Sequence, residues 1–277
     1  MRAHSVWRGL CLSAAFPGIL FSATHSNILT TPAGVRFGII GEKPHAPAPT
    51  VFFLGKAIED TLDSTYVQEA FETLGPRILK VSLDTPCHGA ERRPGEPTSL
   101  SGWRYRLEQG DDIAADLVRR ATATLDYLIE QRYTDPTKVA VFGISRGGLM
   151  AFHLAAADSR VGPIAGFSPV TDLLTLHELS EMQHDERARV LAAVRLADKL
   201  YRHPIWITIG NTDHRVGTER AIEFTQRIIE TSEAHGLVPP IELRVLPAKG
   251  HSTPDGAYGQ AARWLLAQWR LSDSDRR

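Results

Sequence analysis

The chain has 277 residues, 31 basic against 32 acidic side chains, a net charge of −1 and 43% hydrophobic residues, enough material for one large core. Charges that nearly cancel give no electrostatic case for nucleic acid or for an anionic membrane surface as a partner. Two cysteines, Cys11 and Cys87, cannot build a disulfide framework, and the histidines show no H-E-x-x-H-type ligand pair, so a metal is not implied.

At the amino terminus, Arg2 and Arg8 precede an apolar stretch from Leu10 to Phe21, followed by the small residues Ser22, Ala23, Thr24 and Ser26. This is the pattern of a secretory signal peptide over residues 1–26, with cleavage near residues 23–26. Pro17 and Gly18 interrupt the stretch, and no clean A-x-A site follows, so a frayed leader or a start placed too far upstream competes with it. Export is the favoured reading, which places the mature protein outside the cytoplasm (secreted or periplasmic). No stretch is long enough to span a membrane.

From residue 27 to 277 the pattern is that of one domain in which strands and helices alternate, the signature of a mainly parallel sheet with helices on both faces. Strands are expected at Val35–Ile40, Thr50–Leu54, Arg77–Ser82, Lys138–Phe142, Val161–Ala165, Ile205–Ile209 and Ile241–Leu246. Helices are expected at Thr65–Leu74, Asp111–Gln131, Ser145–Ala156, Arg187–Tyr201, Thr218–Ala234 and Ala257–Trp269. The clearest is 111–131, where Ile113, Leu117, Ala121, Leu125 and Leu128 recur at helical spacing behind two aspartates that suit a helix start. Residues 86–104, rich in Pro and Gly, read as a long loop, and residues 171–203 as a small helical insertion that could serve as a lid.

The chemistry concentrates at Gly143-Ile-Ser145-Arg-Gly147, which follows the β-type run Val139–Phe142 and precedes a helical pattern. A bare G-x-S-x-G arises readily by chance; between a strand and a helix it is a nucleophile elbow. A serine hydroxyl is a weak nucleophile that must stand clear of the backbone beside a base, and the sharp turn that lifts it leaves room only for glycine nearby. Ser145 is therefore the expected nucleophile. The base and its orienting acid should follow in the order acid, then His, each on a loop after a strand. Asp213, in Gly210-Asn-Thr-Asp213 after one strand, and His251, in Gly250-His251 after the next, satisfy that order. Asp172 is the competing acid, and His214 the competing histidine.

Two N–H donors for a developing oxyanion are expected at the backbones of Arg146 and Lys56, with Gly55 or Ala57 as neighbours able to take the second role. The side chains of Lys56 and Arg146 are either solvated or favour an anionic substrate. His88 and Trp103 are candidate pocket residues, with Tyr105 beside them; the competing reading makes His88 a local hydrogen-bonding group and the aromatics core cover.

Gly143-Ile-Ser-Arg-Gly-Gly148, Gly210-Asn-Thr-Asp213-His-Arg-Val216 and Gly250-His251 resemble the catalytic blocks of the α/β-hydrolase superfamily. The branch they are most similar to is that of dienelactone-hydrolase-like and prolyl-oligopeptidase-like esterases, as are Asp135-Pro-Thr-Lys138 and Asp84-Thr-Pro-Cys-His88-Gly89. The resemblance covers roughly residues 35–270 and implies an α/β-hydrolase fold, no cofactor, and a small-molecule or saccharide ester as substrate, with small peptides or amides as the alternative. A non-catalytic ligand-binding member of the fold is the remaining reading. Where relatives carry His-Gly at the oxyanion strand, this chain has Leu54-Gly55, and Ser145 stands where dienelactone hydrolases use cysteine.

Overall fold

The computed structural model describes residues 26–272 and 275, which form an eight-stranded sheet. Its strands are β1 (Ser26–Thr30), β2 (Arg36–Ile40), β3 (Ala48–Leu54), β4 (Leu79–Ser82), β5 (Thr134–Ile144), β6 (Val161–Phe167), β7 (Ile205–Gly210) and β8 (Ile241–Leu246). The spatial order is β1-β2-β4-β3-β5-β6-β7-β8; β2 runs antiparallel to both β1 and β4, and every other neighbouring pair is parallel. This is the α/β-hydrolase fold.

Side chains on the central strands alternate between two apolar layers, as the period of a pleated strand requires. Val51, Phe53, Ala140, Phe142, Phe167 and Trp206 enter one layer. Phe52, Leu54, Val139, Val141, Ile164 and Ile207 enter the other. Helices α1 (Ile58–Leu62), α2 (Thr65–Leu74) and α9 (Ala257–Gln268) cover the first layer. Helices α3 (Ser99–Glu108), α4 (Ile113–Glu130), α5 (Arg146–Ala157) and α8 (Thr218–Ala234) cover the second. Strands buried on both sides explain why the sequence shows continuous apolar runs there rather than polar alternation. At the start of α4, the Asp112 carboxylate accepts from the N–H groups of Ala114 and Ala115, at 3.1 and 2.9 Å, and the predicted apolar face of this helix is buried throughout.

Four features differ from expectation. Strand β1 begins at Ser26, inside the span read as leader, and pairs with β2; residues 1–25, which carry the rest of that reading, lie outside the described residues. The expected loop 86–104 ends early, because α3 starts at Ser99 and buries Leu100, Trp103 and Leu107. The single helix expected over 187–201 is broken into α6 (Glu186–Arg189), a 3-10 turn at Ala193–Leu196 and α7 (Ala197–Leu200). There the apolar residues Leu191, Leu196 and Leu200 each reach the core from a separate short turn. Finally, α1 lies between β3 and α2 where no helix was foreseen. No helix among the described residues is long and apolar enough to cross a membrane.

Candidate active site

Strand β5 ends one residue before Ser145, and the chain turns there directly into α5. Ser145 takes φ 52° and ψ −116°, a conformation that costs a non-glycine residue roughly 1–3 kcal/mol and persists only where its surroundings impose it. Its N–H donates to Phe167 O at 2.9 Å, and its carbonyl accepts from the N–H groups of Gly148 and Val170, so the turn is tied to β6 on both sides. The glycines of the motif are required by contact. A Cβ on Gly147 would lie 1.9 Å from Leu54 O, and one on Gly143 would lie 2.5 Å from Gly147 O.

Asp213 follows β7 and His251 follows β8, so both join Ser145 at the carboxyl edge of the parallel strands, where open sheets of this kind hold their sites. Asp213 is fully buried as a side chain. Its Oδ1 accepts from the N–H groups of Arg215 and Val216, at 3.1 and 3.2 Å. Its Oδ2 lies 2.8 Å from His251 Nδ1, and His251 Nε2 lies 2.9 Å from Ser145 Oγ. A carboxylate only accepts, so Nδ1 donates to it. In the neutral ring Nε2 is then left with its lone pair toward the serine, whose hydroxyl donates. Such a chain can remove a proton from the hydroxyl as it attacks and hold the resulting imidazolium against a buried carboxylate.

The competitors stand elsewhere. Asp172 accepts from Leu174 N–H at 2.9 Å at the head of a 3-10 turn and pairs with Arg220. His214 is exposed in the acid's own loop.

A cavity of about 560 Å³ opens beside the serine. Its lining includes Gly55, Lys56, Asp60 and Tyr66 after β3, Ser145 and Arg146 at the turn into α5, and His251 to Gly256 with Tyr258 after β8. Tyr258 stacks on Phe167 with ring centroids 4.3 Å apart, which anchors that last segment to β6. No residue of the 171–203 insertion lines this cavity; the segment packs its leucines into the core, and a lid role finds no support in its position.

Of the two expected oxyanion donors, the Arg146 N–H heads α5 and has no acceptor among the described residues. The Lys56 N–H is different, because it is already engaged. It donates to Thr61 Oγ1 at 3.0 Å, because the short helix α1 brings that hydroxyl back over the turn after β3. The pocket expectation for Trp103 fails: the indole is fully buried in the core, its Nε1–H donating to Pro86 O at 2.7 Å. His88 does not line the cavity. Its Nδ1 lies 2.9 Å from the same Pro86 carbonyl and its Nε2 lies 2.8 Å from Arg146 Nη1, so it reaches the cavity only through that arginine. Cys87 is buried, and burial pushes its thiol up to about 12, which leaves it unreactive near neutral pH.

Sequence reasoning quotes Asp84 only as part of a family-like block and gives it no role; it is a buried carboxylate that ties three segments together. It accepts from Ile58 N–H at 2.9 Å, from Ala90 N–H at 3.1 Å and from Arg36 at 2.8 Å. Its position just after β4 was the available signal.

Residues 101–272, more than half of the chain, match the model of the prolyl oligopeptidase family. The chain belongs to that family. Members of the family are serine hydrolases, and this one shares their fold with both peptidases and esterases of known structure. A puromycin-hydrolyzing peptidase of Mycobacterium tuberculosis superposes with a TM-score of 0.66 at 15% identity, covering 95% of this chain and 41% of that one. This chain thus spans about two-fifths of that peptidase's length. An acetyl ester-xyloside bifunctional hydrolase from Caldicellulosiruptor lactoaceticus gives 0.60 at 17% identity, covering 87% and 91%. A cold-adapted esterase from an Arctic intertidal metagenomic library gives 0.59 at 19%, covering 89% and 93%. No curated protein matches by sequence.

Proposed function

We propose that this family member hydrolyses carboxylic esters through an acyl-enzyme on Ser145. The observation that carries the reading is the unbroken chain from Ser145 Oγ to His251 at 2.9 Å and from His251 to Asp213 at 2.8 Å. Ser145 Oγ attacks the acyl carbon as His251 Nε2 takes its proton. The oxyanion accepts from the Arg146 N–H and from the Lys56 N–H once Thr61 releases it. Collapse of the tetrahedral intermediate breaks the bond to the alcohol oxygen, which leaves with the proton from His251. Water, deprotonated by the same nitrogen, then adds to the acyl carbon and frees the acid and Ser145. Asp213 holds the imidazole in the required tautomer and stabilises its charged form. No step calls for a cofactor.

The shared fold with an acetyl ester-xyloside bifunctional hydrolase and a cold-adapted esterase is in keeping with ester cleavage. Cleavage of small peptides or amides by the same residues is the second reading, favoured by the family to which the chain belongs. A fluorophosphonate probe and paired substrates separate the readings. Labelling of wild type but not of Ser145→Ala is expected, with para-nitrophenyl acyl esters turned over faster than aminoacyl anilides. Faster anilide turnover would favour the peptidase reading. Well-folded protein that takes no label would favour a non-catalytic binding role.

A further inference from the structure

The guanidinium of Arg146 is charged, half-buried and without a counter-ion. Among the described residues no carboxylate lies within ion-pairing distance of it, although Asp60 and Asp255 line the same cavity. Its protein contacts are two neutral groups, His88 Nε2 and Ser99 Oγ, and both are made by a single nitrogen, Nη1. A guanidinium carries five N–H donors. Two are used here, and the three on Nε and Nη2 have no partner among the described residues.

Lys56 lines the same cavity without an ion pair, but its side chain is exposed to solvent, and two nearby arginines already have partners. Arg215 is spent on both oxygens of Glu178, at 2.5 and 2.7 Å. Arg106 is spent on Glu96. An arginine is also the electrostatically wrong residue for the first position of α5, since the helix dipole favours negative charge there. Burial and the positive charge of Arg215 pull the guanidinium below its ordinary pKa, against a smaller opposite pull from Glu178, which is itself paired with Arg215. Such a group gains most from an anion supplied from outside.

The support around it is built to hold it. His88 Nδ1–H donates to Pro86 O, which turns the Nε2 lone pair toward Arg146. Burial pushes the His88 pKa down, so the ring is a neutral acceptor rather than a repelling cation. Pro86 itself is fixed by Trp103 Nε1–H.

We propose that Arg146 selects substrates carrying a carboxylate a few bonds from the scissile ester carbonyl, its free N–H groups taking that carboxylate in a fork-like pair. The planar guanidinium suits a carboxylate in a way a lysine ammonium does not. The proposal rests on the serine-hydrolase reading of the same site, because the selected substrate is cleaved by Ser145.

The test compares each anionic ester with its own neutral methyl ester. Mono-para-nitrophenyl adipate against its methyl ester places the carboxylate on the acyl side; para-acetoxybenzoate against its methyl ester places it on the alcohol side. Wild type is expected to favour the anion in at least one pair by about tenfold or more in kcat/KM, the size of one charge-assisted contact. In Arg146→Gln that ratio falls to near one, and Arg146→Lys retains only part of it. Because each ratio is taken within one enzyme, a change in overall rate cancels. A wild type that takes the fluorophosphonate label yet shows no anionic preference in either pair overturns the proposal while leaving the serine hydrolase intact. A ratio unchanged in Arg146→Gln overturns it too. Absence of label and of all ester turnover overturns both.

Discussion

Two loops approach Ser145 from opposite sides, and they are held by different physics. Residues 83–98 are fastened from within. Glu96 and Arg106, both almost fully buried, pair at 2.7 Å. Asp84 gathers Ile58, Ala90 and Arg36, and Trp103 fixes Pro86. Residues 251–256 make no buried ion pair among the described residues; they are held by His251's bond to Asp213 and by hydrogen bonds at Ser252, and bounded by the stack of Tyr258 on Phe167. The fastened loop presents Arg146 with a fixed support through His88, whereas the open one lines the cavity. The fold has put buried charge where rigidity is needed and left the open loop with little to break.

The open side carries His251, the proposed base, so the largest effects should come from His251's two partners, Ser145 and Asp213. Ser145→Ala is expected to lower ester kcat/KM by about a millionfold, measured with para-nitrophenyl acetate, since removing the nucleophile of such a unit abolishes the whole. Asp213→Asn should keep the contact to His251 but present an amide where the imidazole needs an acceptor, trapping the wrong tautomer. A loss of about ten-thousandfold in kcat is expected. Retention of near wild-type turnover in either variant would remove the mechanism.

The fastened side should answer in stability instead. Glu96→Gln leaves Arg106 buried and uncompensated, and chemical denaturation should show a loss of about 3–5 kcal/mol. Combining it with Arg106→Met should recover much of that, because the orphaned charge is then removed. The pH dependence has a definite sign. Burial alone would raise the Glu96 pKa, but Arg106, with Arg93, outweighs it and holds the carboxyl below its ordinary value. A depressed native pKa contributes stability that is complete above the ordinary carboxylate range and lost as pH falls through the depressed value. The wild type should therefore lose stability more steeply in acid than the double variant. Equal acid sensitivity would mean that the pair does not fasten the loop.

The same contrast explains what could be read from the chain. Ser145, Asp213 and His251 were legible because each follows a β-type run, and the order of strands in sequence brings three strand ends to one edge. The apolar face of α4 was legible for the same reason, a period visible locally. Trp103 was not: whether an aromatic in a Pro-rich segment lines a pocket or fills a core depends on Pro86, which its indole meets across a turn. Helix α3 was missed because Gly102 and two arginines dilute its apolar stripe; Arg106 is buried there against Glu96 and the Glu91 carbonyl. Strand β1 was missed because its edge position leaves it largely exposed, without a buried pattern to read. Contacts that pair polar groups across space leave no periodic trace.

The smallest effect offers the sharpest view of the oxyanion side. Thr61 is buried and its Oγ1 accepts from the Lys56 N–H at 3.0 Å. Thr61→Val keeps the shape and removes the acceptor, which should cost about 1 kcal/mol of stability by thermal or chemical unfolding. If Lys56 supplies the second donor, its N–H must leave the hydroxyl each time an oxyanion forms. In the variant that bond no longer competes, so kcat for a simple ester should rise by about two- to fivefold even as the fold weakens. A neighbouring donor such as Ala57 N–H would have no bond to release, and kcat would stay level or fall. Opposite signs for rate and stability in one conservative substitution would thus identify Lys56 as the donor, and matching signs would exclude it.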